Sequence, residues 1–539
     1  YKAAHVHFTS GLNDDLFNDL NRRLKANGAA EYILSLKELY VDFMVNETAV
    51  FTVDPSTSFR SVFGDDRMTN PDEALSSIAK QVTSIVQKEI DNFCRLNQNF
   101  PPPRNPPQPR ATLLILDRSI DPAAPLLHEF TYQAMINDLL HVEDTDNHVG
   151  VKYSYQFHQA DGSVGVQDVI LDEEDHVYKS IRHMHIAECS DRLIENFNEF
   201  LAENKTAVST SDRNAGPKDS AKSLKEMKEM LTNLPQYQDL KAKYSAHLSI
   251  AQECMSYFER HNLSSVGTLE QNMATGETVE GEIPKTIVLD MVPLLDAPHV
   301  SPIDKARLLM LYIIWKEGGI FEDDKRKLLE HAKLDAELCN AINNLPLMGV
   351  KLTRIRRSEK GYTSASAMSS ATSLFRKRRQ RKNKEDEQET PYELSRYTPI
   401  IKKVMDAHFS NTLDPQQFAF TRQSDVDSAK DGHGHAPGDG GIPASGVSLR
   451  TTKPTWAKKN NTGSGVTTPI RQHHGAKLIV FVIGGATYSE IRSAYEISDT
   501  YNRDVYLGTT EVLRPQNFVR HLSQLTLPIP QLPPVIAPY

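Results

Sequence analysis

Thr-Leu-Leu-Ile-Leu-Asp-Arg-Ser-Ile-Asp-Pro, residues 112–122, opens with a short, continuous apolar run that predicts a strand buried on both faces of a parallel sheet. Residues 478–485, Leu-Ile-Val-Phe-Val-Ile-Gly-Gly, have the same character near the other end of the chain. A helical pattern over residues 489–497 and a strand pattern over residues 505–507 follow, and together they predict a β-α-β unit. We therefore expect one sheet whose strands come from both ends of the chain.

The N-terminal region also alternates between strand and helix patterns. Its apolar spacing predicts amphipathic helices and short strands, which look like half of a sheet. After the last of these helices, residues 100–109 contain six prolines and predict an extended spacer. The predicted strands are residues 4–8, 40–45 and 50–53, and the predicted helices are residues 12–25 and 74–96.

The middle of the chain changes to the period of packed helices, with apolar residues three and four positions apart. Two polar stretches, residues 351–390 and 421–475, interrupt this region and predict loops, because they cannot bury a core of their own. The region therefore predicts a helical domain inserted between the two halves of the sheet domain. The predicted helices are residues 179–203, 221–260, 262–274, 303–317, 324–345 and 391–409.

The composition of the 539-residue chain is that of a soluble globular protein, with 39% apolar and 24% charged residues. The formal net charge of −9 gives no support for nucleic acid as a partner. The most apolar run, residues 308–315, is well short of the roughly 20 residues that span a bilayer. The chain begins at Tyr1 without an initiator methionine, and no secretory signal is visible.

Neither the cysteines nor the histidines are spaced like the ligands of a metal. The cysteines have no Cys-x-x-Cys spacing, so we expect reduced thiols of a cytosolic protein. The histidines of the second polar stretch lack companion cysteines, which favours adventitious binding. We expect no cofactor and no bound metal. The residues concerned are Cys94, Cys189, Cys254, Cys339, His433, His435, His473 and His474.

Two segments carry residues from which an α/β enzyme could build a site. Gly484-Gly485 could hold a phosphate at a helix N-terminus, but no G-x-G-x-x-G or G-x-x-x-x-G-K-[ST] motif is present, which favours a plain turn. Asp117, Asp121 and the pair His128-Glu129 could supply acid–base groups, but a structural ion pair with the neighbouring arginine is favoured. A nucleotide-using α/β hydrolase is therefore the rival hypothesis from another functional class.

One strongly basic run, residues 376–384, could suit anionic lipid. Four acidic residues lie within residues 385–389 and reduce the positive electrostatic potential of the basic run. We expect a solvated loop there, with lipid binding as the alternative.

Specific motifs run in order through almost the whole chain. They are Leu-Leu-Ile-Leu-Asp-Arg-Ser-Ile-Asp-Pro (113–122), Pro-Leu-Leu-His-Glu-Phe-Thr-Tyr-Gln-Ala-Met (125–135), Asp-Leu-Leu (138–140), Arg-His-Met-His-Ile-Ala (182–187), Leu-Pro-Gln-Tyr (234–237), Lys-Tyr-Ser-Ala-His-Leu (243–248), Leu-Ser-Arg-Tyr-Thr-Pro-Ile-Ile (394–401), Ile-Val-Phe-Val-Ile-Gly-Gly (479–485) and Arg-Ser-Ala-Tyr-Glu (492–496). In these motifs the chain resembles the SM (Sec/Munc) family of syntaxin-binding SNARE regulators. It is most similar to the exocytic, plasma-membrane branch, and the Golgi, endosomal and vacuolar branches stay open.

The resemblance implies an α/β plus α fold, a three-domain arch in which Rossmann-like parallel-sheet domains carry a large, mainly helical domain inserted in the second. It implies a non-enzymatic protein that binds syntaxin-type SNAREs and chaperones SNARE-complex assembly in vesicle docking, priming and fusion. The implied divisions are residues 1–40 for the C-terminal part of domain 1, 41–178 and 477–539 for the two parts of domain 2, 179–350 for helical domain 3a, and 351–476 for domain 3b with mobile loops.

The implied partners are syntaxin, the assembled SNARE complex and a vesicle SNARE. The implied protein is a cytoplasmic monomer that reaches the plasma membrane and secretory-vesicle docking sites peripherally, through SNAREs. The chain departs from the family pattern in two places. Relatives carry a strand-and-helix segment before the position of Tyr1 and extra residues between Ile85 and Val86, so we expect a fragment or an incomplete gene model.

The resemblance also implies three sites. A pocket for the syntaxin N-terminal peptide matches Phe17, Ile33 and Glu38, although a Phe on an amphipathic helix usually faces inward. Met348 matches a position that contacts the vesicle SNARE. Gly318-Gly319 matches the hinge of a mobile tip of domain 3a, with a glycine at the helix C-terminus as the equally weighted alternative.

Overall fold

The computed structural model describes most of the chain. The described residues are 4–8, 14–38, 43–53, 58–64, 71–98, 100, 110–145, 149–158, 164–203, 238–354, 392–421 and 476–526. The predictions made for the four histidines of the second polar stretch and for the basic run 376–384 lie outside these residues.

The N-terminal unit consists of strand β1 (Ala4–Phe8), helix α1 (Asp14–Ala26) and strand β2 (Ile33–Glu38). β1 and α1 confirm the predicted strand and helix, whereas β2, which pairs with β1 in parallel, was not predicted. Arg23 and Lys25 lie in the last turn of α1, where positive charge complements the helix dipole.

A five-stranded sheet forms the centre of the α/β region. Its strands are β3 (Phe43–Glu47), β4 (Val50–Val53), β5 (Thr112–Asp117), β9 (Leu478–Ile483) and β10 (Val505–Thr509), in the order β3-β4-β10-β9-β5. β5 and β10 pair with β9 on either side, both in parallel. The apolar runs at residues 112–117 and 478–483 therefore lie side by side. The predicted single sheet with strands from both chain ends is confirmed. The edge strand β3 runs antiparallel, because a two-residue turn joins it directly to β4.

Among the described helices, α2 (Ser58–Phe63), α3 (Pro71–Leu96) and α14 (Tyr488–Tyr501) pack on this sheet. α15 (Pro515–Ser523) follows β10 and packs on the insertion. α14 begins with a capping box, in which the Thr487 hydroxyl accepts from the Glu490 amide and the Glu490 carboxylate accepts from the Thr487 amide. The Gly-Gly turn therefore leads into a helix that satisfies its own first amides.

A second, antiparallel sheet of three strands was not predicted. It consists of β6 (Glu143–Asp144), β7 (Val151–His158) and β8 (Val164–Leu171), and helix α4 (Tyr132–Leu139) precedes it while α5 (His176–Ile181) follows it. Val151, Tyr153 and Tyr155 are all buried, and these alternate residues of β7 share one face. The alternation of these apolar residues along the sequence is the signal that could have predicted the strand.

The helical insertion contains eight described helices. The structure begins α13 at Ile400 instead of the predicted residue 391, directly after Pro399, which has no amide to donate. The predicted helix 324–345 is interrupted at Lys333, whose φ is +51°. α9 was not predicted. The helices are α6 (Ile186–Glu203), α7 (Gln238–Arg260), α8 (Leu263–Thr275), α9 (Ile287–Asp296), α10 (Pro302–Trp315), α11 (Glu322–Ala332), α12 (Ala336–Asn343) and α13 (Ile400–Phe409).

α10 is the central helix of the insertion. Every residue from 306 to 313 is buried, and the apolar ones belong to a core that also includes Phe518 and Leu522 of α15. The insertion and the sheet domain therefore share a continuous core. None of the described helices combines the length and the apolar character needed to cross a bilayer.

Candidate functional site

Arg118, at the end of β5, is completely buried and is held by four hydrogen bonds. Its guanidinium donates to both carboxylate oxygens of Glu490, at 2.6 and 2.8 Å. It also donates to the carbonyl oxygens of Asp121 (2.8 Å) and Gly485 (3.3 Å). A bidentate pair with a carboxylate is the strongest arrangement that a guanidinium can make. Arg118 therefore fixes β5 to the start of α14.

Asp121 connects the same loop to the insertion. Its carboxylate accepts hydrogen bonds from the amide of Ala124 (3.1 Å), the hydroxyl of Tyr397 (2.8 Å) and the amide of Ile400 (2.9 Å). Asp117 instead accepts hydrogen bonds from its own neighbour Ser119, while burial raises the pKa of its carboxyl. The carboxylates of Asp117 and Asp121 are therefore committed to structural contacts. The third candidate, Glu129, accepts a hydrogen bond from Arg492 at 2.8 Å.

The Gly484-Gly485 turn has no room for a phosphate. The Gly484 amide donates to Thr510 Oγ1 (3.0 Å), and the next amide, of Ala486, donates to the Glu511 carbonyl (2.9 Å). Gly485 has a φ of +99°, and a Cβ there would lie 2.4 Å from Leu513 Cγ. The structure thus favours the plain strand-to-helix turn over the phosphate-binding hypothesis.

A second buried cluster joins the sheet domain to α8 and α10. Arg307 of α10 donates to both oxygens of Asp138, each at 3.0 Å, and lies 3.5 Å from Asp304. His128 Nδ1 lies 2.9 Å from Glu270 Oε1, and its Nε2 lies 3.3 Å from Asp304. All five side chains are buried, and the two cations, Arg307 and His128, are each paired with two of the three carboxylates.

The electrostatics of this cluster make His128 a fixed cation. Burial and the charge of Arg307 oppose its protonation, but Glu270 and Asp304 outweigh them and raise the pKa of His128 to about 10. Burial opposes ionisation of Asp304, yet His128 and Arg307 lower its pKa. An imidazolium held between two carboxylates cannot act as a general base near neutral pH.

The two clusters have the same construction. In each of these ion pairs and hydrogen bonds, one partner comes from the motifs in residues 113–140. These partners are Arg118, Asp121, His128 and Asp138. The partners come from the insertion or from the C-terminal β-α-β unit, and they are Tyr397, Glu270, Arg307 and Glu490. These motifs therefore form the joint between sheet and insertion, and their charged groups are not available to a ligand.

The three residues predicted for a peptide pocket all lie in the N-terminal unit. Phe17 of α1 is 42% exposed, so it does not face a core. Ile33 and Glu38 are the first and last residues of β2. Their role in peptide binding stays a prediction.

Three further residues of this unit expose large apolar side chains and were not predicted. They are Leu16 in α1 beside Phe17, Tyr32 before β2, and Leu34 in β2, which is 66% exposed. Exposed apolar side chains grouped in one small unit mark a surface for protein contacts. We call Leu16, Phe17, Tyr32 and Leu34 the N-terminal apolar surface.

Met348 lies at the end of the 3-10 helix Leu345–Met348 and is 2% exposed. Its side chain belongs to the core of the insertion, together with Leu345. In this conformation Met348 is below the surface, so a SNARE could reach it only if the surrounding helices moved apart. Its predicted contact with a vesicle SNARE stays a prediction.

Gly318 and Gly319 follow α10 and differ in their surroundings. Glu317, with φ +40°, takes the left-handed position at the helix end, so neither glycine is the plain helix cap that the alternative interpretation required. Gly319 has φ +79°, and a Cβ there would lie 2.9 Å from the backbone of Leu352 and Thr353. A Cβ on Gly318 would meet only the Lys316 carbonyl oxygen, at 3.7 Å. Close backbone contact explains Gly319; the hinge stays a prediction.

The insertion exposes its own apolar residues near α9. Val279, Ile283, Val288 and Leu289 have exposed fractions between 38% and 73%. A tight turn, in which the Gly281 amide donates to the Thr278 carbonyl (3.0 Å), presents the first two. We call these four residues the 279–289 surface. Its acidic neighbours outnumber the basic Lys285 and are Glu277, Glu280, Glu282 and Asp290.

The sheet domain is joined to the helical insertion by buried charges, and large apolar side chains are exposed away from this joint. This is the construction of a protein-binding scaffold. The chain belongs to the Sec1 family, whose model matches residues 1–521. This confirms the resemblance and the α/β plus α fold class that the motifs implied.

Two relatives and one solved structure show how far the similarity extends. Protein transport protein sec1 of Dictyostelium discoideum is 32% identical over 97% of this chain and 83% of its own length. Protein transport protein sec1 of Schizosaccharomyces pombe is 30% identical over 98% of this chain and 72% of its own length. The Unc18–syntaxin 1 complex from Monosiga brevicollis matches with a TM-score of 0.70 and 26% identity, covering 98% of this chain and 83% of that chain.

Arg307→Met is expected to lower the free energy of unfolding by about 3–5 kcal/mol, because it leaves the buried carboxylate of Asp138 without its cation. Chemical denaturation measures the change. The matched control is Arg326→Met, which removes a pair with Asp323 whose side chains are 66% and 61% exposed. We expect a loss of about 0–1 kcal/mol there. Equal losses in the two variants would contradict the structural role of the buried cluster.

Gly319→Ala is expected to lower the free energy of unfolding by at least about 1–2 kcal/mol, because a Cβ at positive φ is strained. The backbone of Leu352 and Thr353 must also move. Gly318→Ala is the control, with an expected change within about 0.5 kcal/mol. Thermal unfolding of both variants distinguishes them, and a reversed order would refute the close-contact explanation.

Proposed function

We propose that this protein binds syntaxin-type SNARE proteins and promotes the assembly of SNARE complexes during vesicle docking, priming and fusion in exocytosis. The observation that carries the proposal is the likeness over nearly the full chain to Unc18, which was solved in a complex with syntaxin 1. Two surfaces on the described residues supply the physical means, because they expose large apolar side chains outside the buried joint.

The N-terminal apolar surface suits a short peptide of the partner. Leu16, Phe17, Tyr32 and Leu34 offer aromatic and aliphatic anchors that are exposed between 42% and 66%. Aromatic residues are the most frequent hot spots of protein interfaces, and a few such anchors carry most of the binding energy. Phe17 is the residue that we expect to matter most, since it is an exposed aromatic residue and the family resemblance also assigns it to the peptide pocket.

The 279–289 surface suits a helical segment of the partner. Apolar anchors of an amphipathic helix would cover Ile283 and Leu289, which are 70% and 73% exposed. The acidic neighbours of this surface favour a helix with basic residues beside its apolar face. The predicted hinge at Gly318-Gly319 and the predicted contact at Met348 would take part in SNARE assembly in the same insertion.

A regulatory role without catalysis is part of the proposal. Asp117, Asp121 and His128 are committed to buried contacts, and the Gly484-Gly485 turn is filled, so no observation favours the hydrolase hypothesis. We also propose a monomer that reaches the plasma membrane and docking sites peripherally through its SNARE partners. The five-part domain division given by the resemblance belongs to the same proposal.

Phe17→Arg is expected to weaken the binding of a syntaxin N-terminal peptide at least tenfold, because a charged side chain replaces an apolar anchor. Isothermal titration calorimetry of the full chain with the synthetic peptide measures the dissociation constant. Tenfold corresponds to about 1.4 kcal/mol.

The control is Leu96→Arg, which makes a comparable change at an apolar residue of α3 that is 78% exposed. We expect its peptide affinity to equal that of the wild type. An unchanged affinity in Phe17→Arg would remove the N-terminal apolar surface from the proposal. A full chain that binds no syntaxin, whether as a peptide or as an intact protein, would overturn the function itself.

A further inference from the structure

A cavity of about 310 Å³ lies between the five-stranded sheet and the three-stranded sheet β6–β8. Residues from β3 and β4 line one side, residues of α4, β7 and β8 line another, and the segment after β10 completes it. It therefore lies apart from the N-terminal apolar surface and from the 279–289 surface. Its volume is at the lower end of the range for ligand pockets, about 300–1,000 Å³, and suits one side chain better than a large cofactor.

The charges that line the cavity are predominantly negative. Five carboxylates face two arginines, and both arginines already have carboxylate partners. Arg182 lies 2.8 Å from Glu173 and 3.4 Å from Glu47, while Arg514 donates to Asp144 at 2.5 Å. The carboxylates are those of Glu47, Asp144, Asp172, Glu173 and Glu511.

Glu511 is a largely buried carboxyl group that lines this cavity. Burial first, and then the neighbouring Asp144, raise the pKa of its carboxyl to about 7, against the opposing charges of Arg520 and Arg514. His521 Nδ1 lies 3.5 Å from the Glu511 carboxylate, but burial lowers the pKa of His521 to about 4, so this imidazole is neutral. A cation placed beside Glu511 would therefore be stabilised.

Gln133 gives an independent sign of an unfilled position. Its side chain lines the cavity and the residue is only 5% exposed, yet its Oε1 has no hydrogen-bond partner. Its Nε2 donates to Glu47 Oε1 at 2.5 Å, which orients the amide. An unsatisfied buried acceptor costs about 1–3 kcal/mol, which a donor from a ligand would recover.

We propose that this cavity receives one arginine side chain of a partner protein. The guanidinium carries five N–H donors in a planar fork, and the cavity supplies acceptors for them in the Glu511 carboxylate and the Gln133 oxygen. Tyr178 and Tyr488 also line the cavity. This inference goes beyond the proposed function, because the cavity is separate from the surfaces assigned to SNARE segments.

The test uses N-acetyl-arginine amide as the probe and the full chain in calorimetry. We expect saturable binding in the millimolar range, and at least tenfold weaker binding of N-acetyl-citrulline amide, which has the same shape without the charge. Glu511→Gln is expected to weaken the arginine probe at least fivefold. The control Asp323→Asn removes an exposed carboxylate of α11, and we expect no change in affinity.

The pH dependence gives a second readout. Asp144, Arg514, Arg520 and His521 are the charged or titratable groups around Glu511. Because the pKa of Glu511 is about 7, affinity for the cation should rise from pH 6 to pH 8 in the wild type and stay level in Glu511→Gln. Gln133→Met removes the unpartnered acceptor oxygen of Gln133 and keeps a side chain of similar volume. This variant replaces Glu511→Gln in the binding test if Glu511→Gln does not fold.

Equal affinity for the arginine and citrulline probes would overturn the proposal, as would an affinity that neither Glu511→Gln nor Gln133→Met changes. Binding of the syntaxin N-terminal peptide, measured on the same variants, should stay at the wild-type value. The two proposals therefore fail independently.

Discussion

Arg118 and Arg307 each form a buried bidentate salt bridge between segments that lie far apart in the chain, and both bear on the position of the helical insertion. Arg307 joins the insertion to Asp138 of the sheet domain directly. Arg118 pairs with Glu490 within the sheet domain and orders the loop whose Asp121 contacts the insertion. Arg118 reaches Glu490 across 372 positions, and Arg307 reaches Asp138 across 169. A buried guanidinium without its carboxylate is strongly unfavourable, whereas a correctly paired one is tolerated. The charges therefore select the one arrangement in which sheet and insertion fit together.

This construction explains where the molecule can act. The charged groups of the motifs are used inside the joint, so the surfaces left for partners are mainly apolar, at the N-terminal unit and at the 279–289 surface. A scaffold that is held rigid at its joint loses little freedom when a partner binds, which favours affinity. The cavity with Glu511 and Gln133 is a polar site apart from these surfaces, where the buried Gln133 Oε1 has no hydrogen-bond partner.

Much of the fold could be predicted from the sequence, because the continuous apolar runs of β5 and β9 identify strands of one parallel sheet. The β6–β8 sheet was missed, although Val151, Tyr153 and Tyr155 alternate in the sequence. Helix α9 contains Pro293, which hides its pattern. The partners of Arg118 and Arg307 could not be predicted, because they depend on which distant segments of the chain meet in the fold. The same holds for the cavity, which several strands and helices line. The family resemblance alone supplied the positions Phe17, Ile33, Glu38, Met348, Gly318 and Gly319.

Hydrogen–deuterium exchange of the wild-type chain and of Arg118→Met tests most directly whether the buried charges hold the insertion to the sheet. The account predicts that amides of β5, β9 and α13 lose protection together, because Arg118, Glu490 and Asp121 belong to one hydrogen-bonded network. A loss of protection confined to the first turn of α14, with α13 unchanged, would contradict it.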